Sequence, residues 1–125
     1  MNKKRPVNLD LTTIKQPLPA ISSILHRITG VALFVGLVFM MYALDQSLTS
    51  EESFNSISAT MQHSFFAKLI AWGLLTALFY HLCAGIKHLL QDFGYCEELE
   101  SGHLAAKVTL AAGVVFSLLM GIWVW

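Results

Sequence analysis

Two histidines seven residues apart, His81 and His88, are the side chains best placed for chemistry. Seven residues make almost two turns of an α-helix, so both imidazoles would project from nearly the same face. Gly85 lies between them, where the lack of a side chain would let a bulky planar group approach the backbone. The same spacing rises roughly 10 Å, comparable to the reach from a haem iron to its propionates. This spacing favours His81 as an axial haem ligand. The alternative is a histidine that packs against a neighbouring helix and is hydrogen-bonded to it.

A six-coordinate haem needs a second ligand, and we expect no other histidine of this chain to match the depth of His81. The remaining histidines, which all belong near helix ends or in loops, are His26, His63, His88 and His103. The methionines in the apolar stretches are more typical of packing or lipid-facing positions. The second ligand is therefore expected from another subunit.

A second polar group, made of Ser23, His26 and Arg27, stands at the start of the first apolar stretch. Ser23 and Arg27 are four residues apart and would share a helix face. Their hydroxyl and guanidinium groups suit a quinone, whose carbonyl oxygens accept hydrogen bonds and gain negative charge on reduction. In the alternative, Ser23 caps the helix and Arg27 snorkels to lipid phosphates. The spacing leaves both interpretations open.

Three long apolar stretches must position these groups. Of the 125 residues, 55% are hydrophobic and 13% are charged, about half the share of roughly 25% usual in soluble proteins. The stretches predict spans over about 22–48, 65–90 and 104–125, and each reaches the roughly 20 residues that a membrane helix needs. We expect the first helix to open near residues 20–23, after a polar leader (1–19) and with a serine as its cap. The predicted fold is an all-α, single-domain bundle of three transmembrane helices.

The connectors and the charges predict how this bundle is oriented. The outer connector, 45–64, looks like a loop with room for a short surface helix. With the N-terminus inside, all but one of the basic side chains lie on the cytoplasmic side, namely Lys3, Lys4, Arg5, Lys15, Arg27, Lys87 and Lys107. This positive-inside pattern predicts a cytoplasmic N-terminus and an outer C-terminus, where Trp123 and Trp125 suit an aromatic belt.

Several classes of protein and site are disfavoured. The apolar run of the first stretch is too long for a secretory signal, so we expect a retained anchor. The leader contains an aspartate and three prolines and does not resemble a transit peptide, which favours a bacterial inner membrane over an imported organellar one. Cys83 lies in the second span and Cys96 in the inner connector, so they should not pair, and two thiols are too few for an iron–sulfur cluster. No nucleic-acid partner is expected.

Two separated motifs resemble the cytochrome b subunits of succinate dehydrogenase, the three-helix membrane anchors of respiratory complex II. The first comprises Arg5-Pro6 and then Ser23-x-x-His26-Arg27-x-Thr29. The second runs His81-x-x-x-Gly85-Ile86-Lys87-His88 and continues to Asp92-Phe93-Gly94. Both motifs occur in the family's order and topology, and the three-span layout extends the likeness over the whole chain.

The resemblance implies a role for each candidate residue. It implies that His81 is the axial ligand of a haem b shared with a second small anchor subunit. It places Ser23 and Arg27 at a ubiquinone site, and His26, Arg27 and His88 near the haem propionates. It also implies flavoprotein and iron–sulfur partner subunits, which would oxidise succinate, so no catalytic residue for that step is expected in this chain.

The chain departs from the family pattern at two positions of the second motif. Lys87 stands where the family usually has arginine, and Gln91 where it usually has an aromatic residue or methionine. Lysine keeps the charge but lacks the bidentate fork of arginine, which argues against propionate contact at this position. The resulting expectation is a haem- and quinone-binding anchor of succinate dehydrogenase. The alternatives are a fumarate reductase anchor and a purely structural membrane anchor without a cofactor.

Overall fold

The computed structural model describes residues 7–125, so the predicted cytoplasmic charges Lys3, Lys4 and Arg5 and the Arg5-Pro6 motif lie outside the described residues. Within 7–125 the chain forms helices and no strand. The helices are α1 (Leu18–Ser47), α2 (Glu51–His63), α3 (Phe65–Asp92) and α4 (Leu99–Val124). Three of them, α1, α3 and α4, are long and apolar enough to cross a membrane. The predicted all-α fold with three membrane helices is confirmed.

The first helix begins a turn earlier than predicted. Pro17 is its N-cap residue, in an extended conformation, and Pro19 lies in the first turn. Proline is tolerated there because a backbone N–H at that position has no partner within the helix. The expected serine cap is wrong, since no side chain caps α1 and both Ser22 and Ser23 lie inside the helix.

The outer connector contains the helix for which the sequence left room, and this helix, α2, occupies most of it. The Ser50 hydroxyl accepts a hydrogen bond from the Ser53 backbone N–H at 3.0 Å and so caps the N-terminus of α2. Glu51 and Glu52 occupy the first turn, where negative charge is favoured by the helix dipole. The Ser53 hydroxyl also donates to the Gln46 carbonyl at 2.7 Å and holds α2 against the end of α1.

The inner connector makes a tight reversal between α3 and α4. Gly94 has a φ of +86° and Cys96 a φ of +57°, so the chain leaves α3 through two left-handed residues. α4 then begins at Leu99, before the predicted span, because helix formation continues through a polar first turn that lies outside the apolar stretch. Cys83 and Cys96 are both free, as predicted.

The bundle is built around α3, which packs against both α1 and α4. Small residues line the face of α4 that is buried in the bundle, namely Gly102, Ala106, Thr109 and Gly113. A Cβ atom at Gly113 would lie only 2.9 Å from Tyr80 Cδ2, so the absence of a side chain allows the two helices to meet. The Trp72 indole N–H donates to the Ser117 carbonyl at 2.8 Å and joins the same two helices.

The outer surface of the bundle is apolar. Large side chains such as Phe34 and Ile122 are exposed by 73% and 79%, whereas the buried positions include the polar Ser22 and Lys87. This inversion of the pattern of soluble proteins is what a lipid-facing surface requires. α1, α3 and α4 therefore carry apolar side chains on the outside of the bundle and keep polar groups between the helices.

Candidate functional site

Three imidazoles gather where the first part of α1 meets the last part of α3. The His26 ring stacks on the His81 ring with centroids 4.0 Å apart and planes 19° apart. The His88 ring is tilted by 53° relative to the His26 ring, with centroids 5.2 Å apart. His81 and His88 thus face the same neighbour, in agreement with their shared helix face. We call these three side chains the imidazole cluster.

The hydrogen bonds of His81 define its tautomer. Its Nδ1 lies 3.0 Å from the His26 carbonyl oxygen and 3.2 Å from the Thr29 hydroxyl oxygen. A carbonyl can only accept, so Nδ1 carries the proton and donates it. The Thr29 hydroxyl itself donates to the Leu25 and His26 carbonyls at 2.9 Å, which leaves its oxygen free to accept from Nδ1. In the neutral form of the ring, the lone pair is then on the other nitrogen, Nε2.

His81 is held in the way that is typical of metal-ligating histidines. Metal-ligating histidines commonly donate their second ring N–H to a backbone carbonyl or carboxylate, which fixes the ring and makes the ligating nitrogen more basic. His81 has this arrangement, with α1 supplying the acceptors. Within the described residues, no three or more His, Cys, Asp or Glu side chains are grouped to hold a metal ion by themselves.

Two glycines bring α1 and α3 close at this point. A Cβ at Gly30 would lie 3.0 Å from His81 Cε1, so the His81 ring rests on bare backbone. A Cβ at Gly85 would lie 3.6 Å from His26 Nε2. The planar group that faces Gly85 in this chain is therefore the His26 imidazole, and the expected gap beside His81 is filled from α1.

The expected depth of His26 is wrong. Counting from the ends of their helices, His26 is eight residues from the start of α1 and His81 eleven residues from the end of α3. α1 and α3 run in opposite directions, and the start of α1 lies at the same end of the bundle as the end of α3. The depths of His26 and His81 in the bundle therefore differ by about one helical turn. An imidazole side chain is long enough to span a difference of one turn, so the His26 and His81 rings can stack on each other.

Ser23 and Arg27, predicted as a quinone pair, lie on the exposed side of α1 near the imidazole cluster. Ser23 is half-buried and Arg27 is exposed, one helical turn apart. Side chains lean towards the N-terminus of their helix, and on α1 this directs Arg27 towards the nearer end of the bundle. Both side chains are accessible to a molecule that approaches from the surface of the bundle.

The sequence prediction missed a buried polar group made of Ser22, Tyr80 and Lys87. Ser22 is completely buried and Lys87 is 5% exposed. The Lys87 ammonium donates to Ser22 Oγ at 3.1 Å, and the Tyr80 hydroxyl donates to the Ser22 carbonyl at 2.9 Å and lies 3.2 Å from Ser22 Oγ. We call these three side chains the Ser22 triad. It joins α1 to α3 on the side of α3 that is turned into the bundle.

Helix direction explains why Lys87 is buried while Arg27 is not. Lys87 lies five residues before the end of α3, and its side chain leans back along the helix, away from that end. The ammonium is therefore carried into the bundle, where the Ser22 hydroxyl receives it. The signal for this was available in the sequence, because Lys87 follows Tyr80 by seven residues and so falls on the same face of α3.

Comparison with known proteins gives a consistent set of similarities. A family described as succinate dehydrogenase/fumarate reductase transmembrane subunit matches residues 1–120. The succinate dehydrogenase cytochrome b556 subunit of Coxiella burnetii is 41% identical over 125 residues, which is all of both chains. The protein of the same description from Paracoccus denitrificans is 37% identical over 92% of this chain and 88% of its own. The succinate dehydrogenase cytochrome b560 subunit of Reclinomonas americana is 37% identical over 95% and 85%.

Proposed function

The chain belongs to the succinate dehydrogenase/fumarate reductase transmembrane subunit family, and we propose that it is the haem b-binding, quinone-site membrane anchor of a succinate dehydrogenase. The relatives are described as cytochrome b subunits, a description that implies haem b. They are also described as succinate dehydrogenase subunits, which favours this enzyme over the fumarate reductase alternative.

The observation that carries the haem proposal is the fixed tautomer of His81. Its Nδ1–H donates to the His26 carbonyl at 3.0 Å, so Nε2 is the nitrogen that would bind the iron. This donor set fits haem b, whose porphyrin supplies four of the iron ligands and leaves the protein to supply axial ones. When bound, haem b supplies an iron that accepts and releases one electron at a time.

The stacking of His26 on His81 supports a shared haem. His81 would hold the haem iron through Nε2, and His26 could not hold the same iron from the opposite side while its ring is stacked on the His81 ring with centroids 4.0 Å apart. His26 is therefore not arranged as the ligand opposite His81. We propose that a second small anchor subunit supplies that ligand, as inferred from the sequence, although the reason is ring orientation rather than depth.

The remaining groups of the imidazole cluster suit the propionate side of the haem. His26 and His88 can each donate a ring N–H, and the exposed Arg27 guanidinium adds a permanent positive charge nearby. The haem propionates would lie at the end of the bundle where α1 begins, and there they would accept charge-assisted hydrogen bonds from these groups. Lys87 is directed away to Ser22, so it is not among these groups.

We propose that ubiquinone binds against Ser23 and Arg27. A hydroxyl donor and a guanidinium one turn apart can both reach carbonyl oxygens, and their positive or donor character stabilises the negative charge that develops on reduction. The half-buried Ser23 and the exposed Arg27 leave room for the iron–sulfur and second anchor subunits to complete the pocket. Electrons from succinate would reach it through the flavoprotein and iron–sulfur partners, so this chain does not itself oxidise succinate.

The proposed setting is a bacterial inner membrane, with the whole chain forming a single anchor domain. The N-terminus would be cytoplasmic and the C-terminus outside, because the basic side chains then gather on the inner side. The imidazole cluster and the Ser23–Arg27 pair would both lie in the cytoplasmic half of the bilayer, within reach of soluble partner subunits.

Optical spectroscopy of the purified complex tests the haem proposal. We expect a low-spin haem b spectrum that is lost or strongly changed by His81→Leu, while the matched control His63→Leu, at the end of α2, leaves it intact. A wild-type complex without this spectrum, or an unchanged spectrum in His81→Leu, would refute the assignment. The first of these results would instead favour a cofactor-free structural anchor.

Comparing two electron acceptors tests the quinone proposal. We expect Ser23→Ala and Arg27→Leu to impair quinone reduction while electron transfer to a soluble acceptor is retained. Ser56→Ala, on the exposed side of α2, serves as the matched serine control. Equal activity of the Ser23 and Arg27 variants with both acceptors would remove the quinone site from this face.

A further inference from the structure

Lys87 is a buried cation on a membrane-spanning helix. It is 95% buried, and its ammonium is turned into the bundle towards Ser22 Oγ rather than out towards the end of α3. A charged side chain at such a position is costly and is usually associated with function. Lysines near helix ends commonly snorkel to the surface, which Lys87 does not do.

The charge of Lys87 has no opposite charge beside it. Within residues 7–125, its ammonium makes its hydrogen bond to a neutral hydroxyl, and no carboxylate lies within ion-pairing distance. The titratable groups around it are the Tyr80 phenol and the His26 and His88 imidazoles, none of which is a carboxylate. An uncompensated charge in a medium of low dielectric constant acts over a longer range than the same charge in water.

The Ser22 triad fixes where this charge stands. Ser22 Oγ accepts from Lys87, and the Tyr80 hydroxyl is anchored on the carbonyl of the same serine. Tyr80 immediately precedes His81, so the triad and the imidazole cluster share one stretch of α3 on two different faces. Lys87 is six residues from His81, which corresponds to a rise of about 9 Å.

We propose that Lys87 is a fixed internal charge that raises the reduction potential of the haem bound at His81, and that Ser22 is the positioning residue that sets where this charge stands. The proposal rests on the haem function proposed above. Reduction of the ferric iron to the ferrous state takes up one electron and breaks no bond, so it lowers the net charge of the site by one. A positive charge held nearby stabilises the reduced form relative to the oxidised form.

The size of the effect follows from Coulomb's law. Two unit charges about 10 Å apart, at an effective dielectric constant of about 20, change an equilibrium constant roughly tenfold. For a one-electron couple, a tenfold change corresponds to 59 mV. Since Lys87 is buried, salt should screen this effect far less than it screens a surface charge.

Redox titration of the haem in the purified complex tests the proposal. We expect Lys87→Met to lower the midpoint potential by about 59 mV, a tenfold change in the equilibrium constant, at both low and high salt. Lys87→Arg should retain the potential to within a threefold change. Lys68→Met, the same substitution at the opposite end of α3, should leave it unchanged. If the haem of Lys87→Met has the same midpoint potential as the wild type, the proposal is overturned. A neutral Lys87 amine would give this result.

Ser22→Ala tests the positioning role separately. We expect it to lower the potential part of the way towards that of Lys87→Met, and we expect the double variant to match Lys87→Met alone, because Ser22 acts only through the ammonium. Additive shifts in the double variant would refute that role. If Lys87→Met does not assemble, an unchanged potential in Ser22→Ala refutes the proposal by itself. A wild-type complex without haem would refute the function and this proposal together, whereas haem with an unmoved potential refutes this proposal alone.

Discussion

Gly30 holds the backbone of α1 against the His81 ring, so Gly30→Ala is a sensitive test of how that ring is fixed. The new Cβ would lie 3.0 Å from His81 Cε1 and 3.6 Å from Nδ1. Carbon atoms at optimal separation are roughly 3.5–4.0 Å apart, so the ring must retreat from α1 by about half an ångström.

That retreat acts on the hydrogen bonds that define the tautomer. The acceptors of Nδ1, on His26 and Thr29, both belong to α1 and lie at 3.0 and 3.2 Å. Adding about half an ångström brings the first distance to the limit of a useful hydrogen bond and the second beyond it. Loss of such support to a metal-binding histidine typically lowers metal affinity about 10- to 100-fold, equivalent to about 1.4–2.7 kcal/mol. The gain in helix propensity from glycine to alanine, about 1 kcal/mol, stabilises α1 but does not restore the ring.

The assay is the rate of haem transfer from the purified complex to an excess of a haem-free globin. We expect Gly30→Ala to release haem at least about tenfold faster than the wild type. Gly73→Ala is the matched control, because nothing lies within 4 Å of its new Cβ. If Gly30→Ala and Gly73→Ala both release haem at the wild-type rate, contact with α1 does not hold His81 and the reasoning fails.

Three further predictions concern other parts of the chain. Ser50→Ala removes the cap of α2 and should destabilise that helix locally by about 0.5–2 kcal/mol, seen as faster hydrogen exchange confined to α2; unchanged exchange would contradict the cap. Trp72→Phe deletes the indole N–H that reaches the Ser117 carbonyl and should lower stability by about 1 kcal/mol, measured as the midpoint of thermal unfolding in detergent, with a wild-type midpoint as the contrary result. Hydrogen bonds from the Thr12 hydroxyl and backbone N–H hold the pKa of Asp10 below its usual value. The turn that these bonds form should therefore be intact at a pH above the usual pKa of aspartate and should be lost as the pH falls through the lowered pKa. An NMR titration that gives Asp10 an ordinary pKa would contradict this prediction.

The sequence was sufficient for the fold and for the position of His81. Apolar runs of about 20 residues have few alternatives to membrane helices, and α1, α3 and α4 follow them. The helix ends were harder, because helix formation is governed by capping and proline rather than by hydrophobicity. α1 therefore begins at Leu18, and α4 begins at Leu99 through a polar turn that no hydropathy pattern marks.

Ser22 shows what spacing can and cannot reveal. The sequence pattern singled out Ser23 as a candidate binding residue, whereas the buried serine is Ser22. Adjacent residues on a helix differ by about 100° in direction, so the two serines lie on different faces of α1. Ser22, Thr29 and Gly36 recur every seven residues along α1, which marks one face of the helix. This repeat predicts a shared face, but only the packing of α3 against α1 shows that the face is turned inward.

The directions in which side chains lean connect these observations. On α1 they lean towards the end of the bundle that holds the imidazole cluster, and on α3 they lean away from it. A cation on α1, Arg27, is therefore presented to ligands and partners, whereas a cation at the same end of α3, Lys87, is carried inside. One end of the bundle thus holds two kinds of positive charge, an exposed one that can touch an anion and a buried one that can act only through its field. Substituting arginine for lysine at position 87 keeps the field, while substituting methionine removes it, so these two variants distinguish the role of charge from the role of packing.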